Sequence, residues 1–307
     1  MSAMDLYTLY AVDVDSVLID GITDQSVDPG TGNLILGADG KPYPTYAVGA
    51  NVAPTIAFST TAVATALAKV GTAGLALAAA DAVTCYFQML ANGGLRAGAS
   101  LHLKVLVSDG IIIPMTLAAA GDAPASIDYQ VVATYDGTNA PLIVTPNQSL
   151  AGAPTVGELF FLGPVKINGA QVTGVQSIEV DFGISLVVRG SDGLLYPSFV
   201  AIAAIAPTIR ITTTDVEALS TFGIDGTGQS ATASEVYFRA GVDGGTRAAN
   251  ATSVHLKIAT TASKGRISVQ GVGGGEAAAV IIIQPTSSDG DTHPLTVTAS
   301  TTIPAGL

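Results

Sequence analysis

Tryptophan is missing from this chain, and cysteine occurs once, as Cys85. A lone cysteine excludes an internal disulfide, so the chain is no disulfide-stapled scaffold. Cys85 precedes Tyr86-Phe87 in a strand-like run and reads as a small buried hydrophobe. Bases are scarce too, with 12 Lys and Arg against 24 acids and a net charge of −12. Residues 1–152 hold 12 acids and 4 bases, net −8, and residues 153–307 hold 12 and 8, net −4. Neither half is basic, which argues against a grip on nucleic acid through clustered Lys and Arg. Long apolar runs are absent. Phe199 to Ala206 is far too short to span a bilayer and ends at Pro207, so no membrane insertion is expected. The N-terminus, Met1-Ser-Ala-Met-Asp-Leu-Tyr7, lacks the basic region and apolar core of a signal peptide. A soluble protein that acts or assembles in the cytoplasm is expected.

Charged residues make up 12% of the chain, well under the usual quarter. Such a surface fits coverage by other subunits. A small-residue β-protein with Thr and Ser outside would give the same composition. The length, 307 residues, suits about two domains. A half of about 150 residues buries roughly 70% of its unfolded surface and carries its own core.

What is present is a repeat. Gly37-Ala38-Asp39-Gly40-Lys41-Pro42-Tyr43-Pro44 is followed by Ala53-Pro54-Thr55-Ile56 and Thr60-Thr61. Gly190-Ser191-Asp192-Gly193-Leu194-Leu195-Tyr196-Pro197 is followed by Ala206-Pro207-Thr208-Ile209 and Thr213-Thr214. The two blocks share one offset of 153 residues without a gap, about half the chain. Two tandem homologous domains follow, over residues 1–150 and 151–307.

Further pairs extend the match. Val17-Leu18-Ile19-Asp20-Gly21 is set against Val165-Lys166-Ile167-Asn168-Gly169, each a strand ending in a turn that favours positive φ. Gln25-Ser26-Val27-Asp28 is set against Gln176-Ser177-Ile178-Glu179 at an offset of 151. The clearest strand alternates Ile178, Val180, Phe182, Ile184, Leu186 and Val188 with Glu179, Asp181, Gly183, Ser185, Val187 and Arg189, one face buried and one wet. It turns at Gly190-Ser-Asp-Gly193 and returns over Ser198 to Ala204 as a long hairpin. The first half has a shorter version, Asn33 to Leu36 with Thr45 to Val48, interrupted at Pro29-Gly30. One short helix per half is expected. The first runs about Thr61 to Val70, capped by Ser59 or Thr60 and closed by Gly71. The second runs about Thr214 to Thr221 with Asp215 and Glu217 in its first turn. Strands at Cys85-Tyr86-Phe87-Gln88 and Val236-Tyr237-Phe238-Arg239, then Leu101-His102-Leu103-Lys104 and Val254-His255-Leu256-Lys257, repeat as well. A linker is placed at about 147–157.

Candidate chemistry is sparse. His102 and His255 recur, but no Cys, second His or carboxylate stands at ligand spacing. Each reads as a His on the outer face of a strand or at a subunit contact. His293 lies in an acidic loop and reads as exposed. Asp13-x-Asp15 lacks the remaining ligands of a calcium loop, and the glycines of 271–275 lack the Lys-Ser/Thr of a phosphate loop. No catalytic residue, metal ligand or cofactor is assigned, and an enzyme is not expected.

The order of strand, turn, long hairpin with a Gly-x-Asp-Gly tip, Pro-Thr-Ile strand, capped short helix and further strands resembles the major tail tube proteins of long-tailed bacteriophages with non-contractile tails. The resemblance covers both halves and is closest over Val165 to Thr214 and the paired block of the first half. It implies a mainly β fold, a β-sandwich or barrel with one short helix per domain. It further implies stacked homotrimeric, pseudo-hexameric rings that form a hollow tube in the virion tail, assembled in the host cytoplasm. Asp28, Glu179, Asp181 and Ser185 would then line the lumen, and Asp39, Gly40, Asp192 and Gly193 would form hairpin turns used in assembly. Partners implied by the resemblance are other copies of the chain, tail terminator and tail-tip or baseplate proteins, and the tape measure protein in the lumen. Genomic DNA would pass without specific binding. A capsid decoration or tail-tip protein, or a glycan-binding tandem β-sandwich, remain alternatives.

Overall fold

The computed structural model describes residues 6–37, 43–78, 82–91, 96–98, 101–150, 152, 157–190, 193–216, 229–231, 233–242, 245–260, 262–271 and 277–307. The first half contains β1 (Leu6–Val14), β2 (Val17–Ile19), β3 (Ile22–Asp28), β4 (Thr31–Leu36), β5 (Tyr46–Val52) and β6 (Thr55–Thr60). After helix α1 (Val63–Val70) come β7 (Leu75–Leu77), β8 (Val83–Leu90), β9 (His102–Val107), β10 (Gly110–Ala120), β11 (Ser126–Ala133) and β12 (Ile143–Gln148). The second half contains β13 (Phe160–Ile167), β14 (Ala170–Val172), β15 (Val175–Asp181), β16 (Ile184–Arg189), β17 (Phe199–Ile205) and β18 (Thr208–Thr213). It continues with β19 (Gln229–Ala231), β20 (Ser234–Val242), β21 (Thr246–Arg247), β22 (His255–Thr260), β23 (Ser263–Gln270), β24 (Ala278–Pro285) and β25 (Leu295–Thr301). The protein is mainly β, built from several antiparallel sheets.

The strand order repeats. One five-stranded sheet runs β12-β9-β8-β1-β2, and its counterpart runs β25-β22-β20-β13-β14. The second layer is a ten-stranded sheet ordered β3-β6-β11-β10-β15-β18-β24-β23-β19, with β7 also on β10. Its first four strands and the run β15-β18-β24-β23 have the same topology, and β10 joins β15 across the halves. The hairpins β4-β5 and β16-β17 stand apart as two-stranded sheets.

Alternation explains why these segments form half-buried strands. Ile56 and Phe58 on β6, and Ile127, Tyr129 and Val131 on β11, turn into the core. Phe58 stacks on Tyr129 with ring centroids 5.2 Å apart. Ile209, Ile211, Ile281 and Ile283 do the same in the second half. Helix α1 buries Val63, Ala66, Leu67 and Val70, the i, i+3, i+4, i+7 stripe of an amphipathic helix. Its N-cap is Ala62, which makes no side-chain cap bond. Thr60 acts from just upstream, its Oγ1 accepting the Ala62 N–H at 3.0 Å. Gly71 closes the helix by donating to Leu67 O at 2.8 Å. In the second half Thr213 Oγ1 accepts from Asp215 N at 2.9 Å. From residue 217 onward the helix expected there lies outside the described residues.

Backbone pairing corrects several sequence equivalences. Val12 pairs with Ile19, and Val165 pairs with Val172. The counterpart of Asn168-Gly169 is therefore Asp15-Ser16, not Asp20-Gly21, and both pairs carry the positive φ of a tight hairpin turn. Asp28 pairs with Thr55 as Asp181 pairs with Thr208, so Gln25–Asp28 corresponds to 178–181 rather than 176–179. The short Gln-Ser match at offset 151 was local, whereas the ladder register is set by every pair along β6 and β18. The linker expected from 147 begins later, because β12 extends to Gln148.

The strand expected to run unbroken from Ile178 to Val188 is broken at Phe182-Gly183, between β15 and β16. Gly183 has φ +60°, and a Cβ there would lie 2.0 Å from Ala206 O. The period-two pattern survives the break but serves two clusters. Ile178, Val180 and Phe182 enter the main core, while Ile184, Leu186 and Val188 pack with Val200 on Ile111, Ile113 and Val132 of the first half. The first-half hairpin is also longer than expected, Thr31–Leu36 paired with Tyr46–Val52. Pro29-Gly30 breaks the chain before β4, in the same place as Phe182-Gly183, so it ends β3 without shortening the hairpin.

Candidate functional site

Cross-strand partners in a sheet share a face, so the pairing registers define what the ten-stranded sheet presents away from the core. One row runs Arg266–Ile282–Arg210–Glu179–Ala118–Ser126 across six strands. Asp181 lies on the same face between Thr208 and Thr116. In the first half, Asp28 sits beside Thr55, and Asp24 beside Ser59, which in turn pairs with Asp128. Asp24, Asp28, Asp128, Glu179, Asp181, Arg210, Lys264 and Arg266 are all exposed.

The sequence-derived residues take distinct places on this surface. Asp28 and Asp181 end equivalent strands. Each accepts a backbone N–H through Oδ1 at 2.8 Å, from Gly30 and Gly183 respectively. They shape the break between strand and hairpin as well as charging the face. Glu179 stands directly opposite Arg210. Ser185 is exposed on β16 opposite Ala204, on the hairpin rather than the main sheet. The structure brings Glu179 and Asp181 together on one strand. Asp28 lies four strands away, about 19 Å at the usual spacing. Gly193, with φ +68°, forms part of the second hairpin tip and would meet nothing within 4 Å if given a Cβ. Asp39, Gly40 and Asp192 lie outside the described residues.

Sequence reasoning missed Arg210, Lys264 and Arg266, which give the face both signs of charge. The signal was available: Lys264, Arg266, Ser268 and Gln270 alternate with more apolar or small residues, and Arg210 separates two buried isoleucines. Asp24 and Asp128 were missed as well, and Asp128 Oδ1 accepts the Ser59 hydroxyl at 2.5 Å.

The repeated histidines are corrected outright. His102 and His255 are fully buried, not on an outer strand face. His102 Nδ1 accepts the Met89 N–H at 2.8 Å, and His255 Nδ1 accepts the Ala240 N–H at 3.1 Å. The neutral Nε2–H tautomer follows in each, and in His255 this N–H donates to Ala249 O at 3.0 Å. The pair serves backbone groups on β8 and β20 near their ends, which is a structural task. His293 is half-buried rather than exposed, with its pKa lowered chiefly by burial. Burial pushes the Cys85 thiol up to about 12, so it is no thiolate nucleophile at neutral pH.

Among the described residues, no three His, Cys, Asp or Glu side chains converge to hold a metal ion. No helix among them is long and apolar enough to cross a membrane. An open cleft of about 530 Å³ lies between Gly157–Phe160 and Ala240–Ala249, with Arg247 over the Phe161 ring at 3.2 Å. Among the described residues its lining offers Glu158 and Thr252 but no His, Cys or Ser. No protein-family model matches this chain, and no curated protein matches it.

Proposed function

We propose that this chain is a structural virion protein whose copies close into trimeric, pseudo-hexameric rings, stacked as the hollow tail tube of a long-tailed, non-contractile bacteriophage. The observation that carries this reading is the ten-stranded sheet. Two four-strand units are joined in one sheet by the β10–β15 ladder. A chain that presents the same unit twice can continue the series with further copies, and rotation by a fixed angle closes it into a ring. Four strands from each of six units, spaced at ~4.8 Å, give a diameter of at least ~37 Å before strand tilt is added, wide enough for a double helix.

The open sheet face would line that channel. Its five carboxylates outnumber its three bases, and Arg210 stands directly opposite Glu179. Such a wall carries a net negative charge and repels phosphate overall, with too few bases for counterion release to hold DNA. A tape measure protein in the lumen during assembly, and terminator and tip proteins at the tube ends, belong to the same reading. Negative-stain microscopy and light scattering of the purified protein test it. Rings or tubes with a central hole and three copies per ring are expected. Solitary particles at all concentrations, or an assembly without a passage, would overturn it.

A further inference from the structure

The internal joint has two loose ends. β10 carries β7 along Gly110–Ile112 and β15 along Thr116–Ala120. Its counterpart β23 carries β19 along Ser263–Gly265, and Arg266–Gln270 have no outer strand among the described residues. At the other end, β3, the counterpart of β15, pairs among the described residues only with β6. Burial marks the difference. Leu117 and Val180 at the joint are fully buried, whereas their equivalents Val269 and Val27 are 39% exposed and partly exposed.

We infer that the free β23 edge receives the β3 edge of a second copy of this chain, antiparallel, in the register that β10 and β15 use internally. Transferring that register pairs Ser268 with Asp28, Val269 with Val27, and Gln270 with Ser26. The step to a closed ring rests on the reading above; the pairing itself follows from the repeat.

Three matched departures between the halves support this seam. The first two change both partners together, and the third replaces one of them. At the internal joint Phe182 N donates to Met115 O, inside a bulge of β10 between Pro114 and Leu117. β23 pairs with β24 without a bulge, and the residue equivalent to Phe182 is Pro29, which has no N–H to donate. Next, the second hairpin covers Ile111, Ile113 and Val132 with Ile184, Leu186, Val188 and Val200. The equivalents are Lys264, Arg266 and Gln284 on one side and Thr31, Asn33, Ile35 and Ala47 on the other. An apolar pair of surfaces has become a polar one on β23 and β24 facing a mixed one on the first hairpin. Last, Arg266 would stand diagonal to Asp28, within reach for a long side chain, where the internal joint sets Ile113 near Asp181. An unpaired strand edge is otherwise an aggregation hazard. A seam between copies that must first exist as soluble chains is better served by polar than by apolar surfaces.

Disulfide trapping tests the register. Chains bearing Ser26→Cys and Gln270→Cys, both at exposed positions, are mixed in equal amounts and mildly oxidised; Cys85 stays buried and inert. The mixture is expected to yield a covalent dimer, and neither variant alone should. A Ser26→Cys and Ser268→Cys mixture, two residues out of register, should give at least about tenfold less, because its Cα atoms lie too far apart to bridge. Absence of dimer from the first mixture, or equal yield from both, overturns the inference. As a second measurement, Arg266→Glu should weaken association about tenfold at low salt without changing the melting of the isolated chain; unchanged association would count against the seam. Microscopy of the same samples separates the two readings. Rings without the in-register cross-link sink the seam and keep the ring, and cross-linked open chains do the reverse.

Discussion

Leu117 and Val269 occupy equivalent positions on β10 and β23, yet truncating them should cost very different amounts. Leu117 is fully buried in the main core at the joint between halves, next to Val180. Leu117→Ala removes most of a buried side chain and leaves a cavity, so a loss of about 3 kcal/mol is expected. At roughly 2–4 °C per kcal/mol for a large domain, the melting temperature should fall by about 6–12 °C. Val269 is 39% exposed, and Val269→Ala should stay within about 0.5 kcal/mol in the isolated chain. In an assembly its side chain would be covered, and the same change should cost about 1 kcal/mol per seam. Calorimetry of dilute monomer and of assembled material, for both variants, measures all four quantities. The reasoning fails if Val269→Ala destabilises the dilute chain as much as Leu117→Ala does. It fails equally if assembled and dilute chains respond alike to Val269→Ala.

Other expectations follow from single sites. Replacing His255 by Leu leaves the Ala240 N–H and Ala249 C=O without their ring partner, and should cost about 1–3 kcal/mol in chemical denaturation. His102→Leu strands only the Met89 N–H and should cost about 1 kcal/mol less. His293 has a depressed pKa in the folded chain, so just below its ordinary value near 6.5 the unfolded chain binds more protons. Stability should therefore fall as pH drops from about 7 toward 5, and His293→Gln should flatten that part of the melting profile. Combined Glu179→Gln and Asp181→Asn keeps an acceptor for the Gly183 N–H and leaves Asp28 at the seam unchanged, so assembly should survive. DNA passage, measured as ejection rate from particles carrying the variant, should slow; normal ejection would refute the lumen assignment.

Much of the fold is legible in residue order because its causes are local. Alternation along Ile178–Val188 specifies strands with one dry face. The constant offset of 153 residues between the Gly-x-Asp-Gly and Ala-Pro-Thr-Ile blocks announces a repeat. Scarce bases already argue against a nucleic-acid grip. What stays hidden depends on partners far along the chain. Gln25-Ser26 resembles Gln176-Ser177 as text, but only the ladders to β6 and β18 decide that Asp28 matches Asp181. Both histidines sit among hydrophobic residues in sequence, and their burial follows from a backbone N–H presented by the neighbouring strand. The charged face also needed the pairing, since Arg266, Arg210 and Glu179 are distant in the chain and share a row only once four strands are aligned.

Composition and periodicity alone therefore determined that this is a duplicated β-protein with little positive charge. Tertiary structure decided that the halves fuse edge to edge through β10 and β15, and which surfaces that fusion leaves open. The physical reason lies in the backbone. Side-chain pattern tells a strand which face to bury, whereas the hydrogen-bonding groups that choose its neighbour are the same at every residue, so the choice falls to long-range packing.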